Sequence, residues 1–109
     1  STTLPWSTKA DMGGAALTEA SLEGAILYDS RIAAADLSKV RAAGADFTRA
    51  VLTGSDFSDA DLKGAVFAMA DVAGAVFRNA DVTGASFAHA KGAHNADFAH
   101  AIGYGRTSG

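Results

Sequence analysis

The chain has 109 residues with 49% hydrophobic content, a single proline and a net charge of −3 at pH 7, a length that bounds one small soluble domain and leaves no room for a second. The acidic balance excludes a nucleic-acid binder that depends on a basic face, and no run approaches the roughly 20 unbroken apolar residues of a membrane-spanning helix. Zero cysteines exclude a disulfide framework and a thiolate metal site, and they favour a reducing, cytoplasmic compartment.

The first segment, residues 1–9 of STTLPWSTKAD, has neither the basic start nor the apolar core of a signal peptide. The missing initiator Met is what trimming, or excision from a longer chain, would leave. Leu4, Pro5 and Trp6 are predicted to lie over whatever follows as an N-terminal cap. A lone aromatic without convergent polar groups makes a poor ligand site, so Trp6 is read as cap.

Residues 10–101 are governed by a period of five. In Gly64 to Val82, GAVFAMADVAGAVFRNADV, the words GAVF and ADV each return after ten residues, but the underlying unit is shorter. Counting by fives from Met12 to Phe87 gives sixteen positions, of which fifteen are large and apolar; Ala42 is the exception. Two residues before each stands a small residue, from Ala10 to Ala90, with Ser30, Val40 and Ser55 the only non-alanines. Five residues advance a helix by about 500°, so successive large residues would diverge by about 140° and no face would stay apolar. In a flat strand an odd repeat sends every second large residue into water. What survives is a chain extended over three residues, small in, polar out, large in, that then turns a corner with two. In KVRAAG, Val40 fills the small slot and Ala42 the large one, a swap that conserves volume.

Corner chemistry supports this reading. Gly14, Gly24, Gly44, Gly54, Gly64, Gly74 and Gly84 stand two residues after a large position, where a type II turn requires positive φ. The alternate corners carry Glu19, Asp29, Lys39, Arg49, Asp59, Met69, Asn79 and His89, which predicts a different turn geometry there.

After Phe87 the frame slips: in HAKGAHNADF the next Phe falls at 98 rather than 97. One inserted residue near Lys91 to Asn95 is predicted to form a bulge. Residues 102–109 form a short cap or tail, in which Ile102 and Tyr104 are the candidates to close the last coil, or to meet a second copy end to end as a weak homodimer.

The units ADLSK, ADFTR, SDFSD, ADLKG, ADVAG and ADVTG resemble those of the pentapeptide-repeat proteins. The resemblance covers nearly the whole chain, from about Ala10 to Ala101. It implies an all-β fold, a right-handed quadrilateral parallel β-helix with four pentapeptides per coil and about four to five coils. Twenty residues per coil would stack Leu27, Phe47, Phe67 and Phe87 in one column and Leu17, Leu37, Phe57 and Phe77 in the opposite one.

Little in the chain points to chemistry. There is no GxxxxGK[ST] loop, GxSxG elbow or GxGxxG fingerprint, and outward carboxylates on a solid core lack a cleft to perturb them. An enzyme, a catalytic residue and a cofactor are not expected. His89, His94, Asp97 and His100 cluster near the frame slip, but their spacing is poor for a metal and they are read as solvated. Outward Asp36 and Asp56 on one wall, Asp61 and Asp81 on the next, and Asp59 at the corner between them form a modest acidic edge. Two function classes follow. The first is a protein-interaction scaffold whose partner the sequence does not name. The second, implied by the resemblance, is a rod that imitates DNA and binds DNA gyrase, protecting it from fluoroquinolones. The small net charge, and the absence of a long projecting loop, favour the scaffold. No direct nucleic-acid or membrane contact is expected under either.

Overall fold

A computed structural model describes residues 13–14 and 16–104. The proposed N-terminal cap, Leu4, Pro5 and Trp6, lies outside the described residues, as does the tail beyond Tyr104.

Five residues make one side, and the sides repeat as a short bridge followed by a two-residue turn. No long strands form among the described residues. Each side touches the next coil through a single parallel bridge residue, and bridge partners are spaced by twenty, as in Asp36↔Asp56, Asp46↔Val66, Val51↔Asp71 and Asp61↔Asp81. Four bridge columns run along the solenoid, and they are named here after Asp36, Asp61, Val66 and Val51. The Asp36 wall runs Ala16, Asp36, Asp56, Val76, Asp97, and the Asp61 wall runs Ser21, Arg41, Asp61, Asp81, Ile102. The Val66 wall runs Ile26, Asp46, Val66, Ser86, and the Val51 wall runs Arg31, Val51, Asp71, Lys91.

The repeat around Phe47 shows why five residues suffice. Ala45 N–H closes the preceding turn on Ala42 O (3.0 Å), Asp46 N–H donates back one coil to Ala25 O (2.9 Å), and Phe47 and Arg49 N–H donate forward to Val66 O (2.7 Å) and Ala68 O (2.9 Å). One amide is left, Thr48, and it donates to Asp46 Oδ1 at 2.9 Å. All five donors are thereby satisfied, as buried or half-buried backbone requires.

Inside, the small and large slots fill the coil completely. Phe47, Phe57, Phe67 and Phe77 are fully buried, as are Val40 and Ala42, so the swapped pair packs within the core. Rings in one column stack nearly parallel, Phe47 on Phe67 at 5.0 Å and Phe57 on Phe77 at 5.1 Å. Rings on opposite walls meet edge to face, Phe57 against Phe67 at 6.0 Å, the two geometries an aromatic quadrupole favours.

The corners differ from the sequence expectation. Non-glycine corners adopt the same left-handed conformation as the glycine corners: φ is 58° at Arg49 and Met69 and 61° at Asn79, against 68° at Gly64. Both classes also close the same turn bond, Ala50 N–H to Phe47 O and Ala65 N–H to Leu62 O, each 3.0 Å. The alternation therefore does not mark two geometries. It leaves two opposite edges with a side chain at the left-handed position and two with glycine there, Ala34 excepted. The reason lies in the ladder: both classes of corner must turn the chain onto the next side while the corner amide bonds the next coil, as Gly64 N–H does to Thr83 O (2.9 Å) and Met69 N–H to Ala88 O (2.8 Å).

The inserted residue is taken up by a 3₁₀ turn, Ala93–Asn95, after which bridge spacing becomes 21 in Val76↔Asp97 and Asp81↔Ile102. The core ignores it, since Phe98 stacks on Phe77 at 4.9 Å.

Candidate functional site

The surface was expected to carry function, and its most regular feature turns out to serve the backbone. Each outward Asp at a bridge position accepts the amide two residues on: Asp36 from Ser38, Asp56 from Ser58, Asp61 from Lys63, Asp71 from Ala73, Asp81 from Thr83 and Asp97 from Ala99. This is the Asx-turn geometry, and it satisfies the one amide per repeat that the coil ladder leaves over. Ser38, Thr48 and Thr83 add their hydroxyls to the same carboxylate oxygen. At three of these aspartates the contacts stabilise the ionised form. Asp36 and Asp81 are held below the ordinary carboxylate range, chiefly by the hydroxyls of Ser38 and Thr83. Asp97 is lowered chiefly by the Ala99 amide and then by Arg78.

The five residues of the acidic edge lie together: the bridges Asp36↔Asp56 and Asp61↔Asp81 put them on adjacent walls, and Asp59 stands exposed between them at φ 60°. Four of the five are turn hooks, and cations offset them further. Lys63 lies 3.3 Å from Asp61 and 3.8 Å from Asp81. Arg78 pairs with Asp97 on the Asp36 wall. Four of the five edge carboxylates thus each spend one oxygen on closing their own turn.

Of the end-on residues, Ile102 is 59% and Tyr104 47% exposed. Tyr104 lies over Phe98 with ring centres 4.2 Å apart, covering the end of one aromatic column. His89, His94 and His100 are exposed. Among the described residues no group of three His, Cys, Asp or Glu is placed to hold a metal ion, and no helix is long and apolar enough to cross a membrane.

Sequence reasoning missed a shallow groove of about 380 Å³ on the Val51 wall. One side is the side-chain-bearing edge, Arg49, Met69 and His89; the floor is the bridge column Val51, Asp71 and Lys91. Arg49 is tied by two hydrogen bonds, 2.8 and 3.1 Å, to Asp29 of the preceding coil. The only sequence signal was the ten-residue spacing of non-glycine corners, which sets Arg49, Met69 and His89 in one line.

The family model for pentapeptide repeats matches residues 30–67 and 60–91, in eight copies. No curated protein matches. A pentapeptide repeat protein of the Arabidopsis thaliana thylakoid lumen is similar at 32% identity and a TM-score of 0.70, over 82% of this chain and 65% of that one. HetL, a pentapeptide repeat protein involved in heterocyst differentiation regulation in the cyanobacterium Nostoc sp. strain PCC 7120, is similar at 29% identity and a TM-score of 0.60, over 82% of this chain and 38% of that one. The chain therefore spans less than two thirds of the length of either.

Proposed function

The chain belongs to the pentapeptide-repeat family, whose fold is a right-handed β-helix solenoid, and on that premise we propose that it is a non-enzymatic interaction scaffold of about four to five coils. The observation that carries this reading is the filled interior. Phe, Leu and Ala occupy the cross-section, with Phe47, Leu52, Phe57 and Leu62 fully buried in one coil, so the interior of the described coils leaves no space in which to desolvate a substrate, and the groove on the Val51 wall is shallow. What remains for function is a set of walls ruled at regular intervals with outward side chains, a surface suited to flat contact with another protein. The cysteine-free composition makes a reducing, cytoplasmic setting part of the same proposal.

The DNA-imitating alternative gains no support. Four of its five carboxylates accept turn amides, and Asp61 and Asp81 also face Lys63, and a gyrase supercoiling assay with fluoroquinolone is expected to show no protection at micromolar protein. The scaffold reading is tested by placing a photo-crosslinking residue in turn at Asp36, Asp61, Val66 and Val51, one per wall. A discrete crosslinked partner from one wall or two adjacent walls in extract of the source cell is expected. Equal labelling from all four walls, or none from any, overturns the reading.

A further inference from the structure

The groove on the Val51 wall allows the partner's chemistry to be specified, on the basis of the scaffold reading. Three cations are paired with carboxylates along the solenoid: Arg49 with Asp29, Lys63 with Asp61 and Asp81, Arg78 with Asp97. Lys91 is different. It is exposed at the lower end of the groove floor, beside exposed His89, and makes no ion pair among the described residues. At the upper end the floor is Val51, and between them Met69, 44% exposed, offers its thioether side chain to the same groove. Asp71 stands at the middle level with Oδ1 engaged by the Ala73 amide at 3.2 Å, which leaves its second oxygen as an acceptor.

Spacing narrows the occupant. Successive coils lie about 4.8 Å apart, so Val51, Met69 and Lys91 stand at levels of about 0, 5 and 10 Å along the axis. An apolar group resting between Val51 and Met69 is then about 7 Å from the level of Lys91. That is the separation of side chains i and i+2 on one face of an extended chain, at about 3.3 Å per residue. Asp71 in the middle repels a run of phosphates but accepts a backbone N–H.

We infer that this groove docks an extended protein segment of the pattern apolar-x-acidic. The apolar side chain covers Val51 and Met69, the carboxylate meets Lys91 and His89, and a backbone amide donates to Asp71. Electrostatic complementarity of this kind sets which segment binds.

The test uses the intact chain with two fluorescein-labelled probes, Gly-Ser-Leu-Thr-Glu-Ser-Gly and its Glu-to-Lys counterpart, together with selection from a random heptapeptide display library. The acidic probe is expected to bind, the basic probe to bind at least about tenfold more weakly, and selected peptides to be enriched in apolar-x-Asp/Glu. Lys91→Glu should reverse the preference between the probes, Lys91→Gln should abolish it, and Lys39→Glu on the other side-chain-bearing edge should change neither. Lys91 is exposed, so thermal melts of its variants should match that of the parent chain. Peptides without the acidic residue, or binding indifferent to both Lys91 variants, overturn the inference while leaving the scaffold reading intact. A selection that enriches nothing also overturns it, and the wall-by-wall crosslinking then decides the scaffold reading separately.

Discussion

Ser55 sits in a slot that alanine otherwise dominates, and its hydroxyl changes one turn. It donates to Ile32 O and accepts from Ala35 N–H at 3.2 Å, and so stands in the bond that closes the other corners directly. The corner it serves carries Ala34 at φ 55° in the register where glycine recurs. Ser55→Ala should leave two buried backbone groups short of a partner and cost about 1–3 kcal/mol in urea unfolding. Adding Ala34→Gly, which lets the corner relax and close directly, should recover a large part of that loss; strictly additive effects would refute the relay. The aspartates are the second single-residue device. Because Asp81 is held below its ordinary carboxylate value, its contribution is fully present above that value and is lost as pH falls through the lowered one. Asp81→Asn keeps an acceptor for the Thr83 amide but cannot titrate. The fall in urea midpoint between pH 7 and pH 2 should therefore be smaller in the variant than in the parent chain.

At the scale of the turn, glycines of similar φ, 68° at Gly64 and 74° at Gly92, have different reasons to be glycine. A Cβ on Gly64 would meet nothing within 4 Å, so Gly64→Ala costs only left-handed strain, offset by a stiffer unfolded chain. About 1 kcal/mol is expected. Gly92 opens the 3₁₀ turn at φ 74° and packs against the preceding coil, where a Cβ would stand 2.6 Å from Ala73 Cβ. Gly92→Ala must add that overlap to the strain, and about 2–4 kcal/mol is expected. Equal thermal shifts for the two variants would mean that the inserted turn does not press on its neighbour.

For the whole molecule, stability resides in continuous columns. Phe67 is fully buried, stacked between Phe47 and Phe87 at 5.0 and 4.9 Å and met edge-on by Phe57 and Phe77. Phe67→Ala should cost about 3–5 kcal/mol, whereas Ser58→Ala on an outer corner should stay within about 0.5 kcal/mol. The end-to-end association expected from the sequence would rest on Ile102 and Tyr104, which are exposed, Tyr104 lying over Phe98. One coil end offers less than the roughly 800 Å² per partner of a standard interface, so association should be weak. Sedimentation over a hundredfold concentration range is expected to show reversible dimerisation, abolished by Ile102→Asp with Tyr104→Ser. A monomer throughout, or a dimer indifferent to both changes, would defeat that expectation.

The sequence alone determined the period, the phase and the aromatic columns, because a buried slot every fifth residue tolerates only small or large apolar side chains and so writes itself into composition. It could not reveal what the aspartates do, since the amide that each one caps is identified only by counting which donors the coil ladder leaves over. Nor could it foresee uniform corners. Glu19, Lys39 and Met69 are poor residues for positive φ, and local preference argued for a second turn type. Tertiary structure decided otherwise, because each corner amide, such as Met69 N–H to Ala88 O at 2.8 Å, must bond a coil twenty residues away, and that ladder outweighs the strain of one unfavourable dihedral. The groove on the Val51 wall has the same origin: Arg49, Met69 and His89 are far apart in the chain, and only the stacking of coils makes them neighbours.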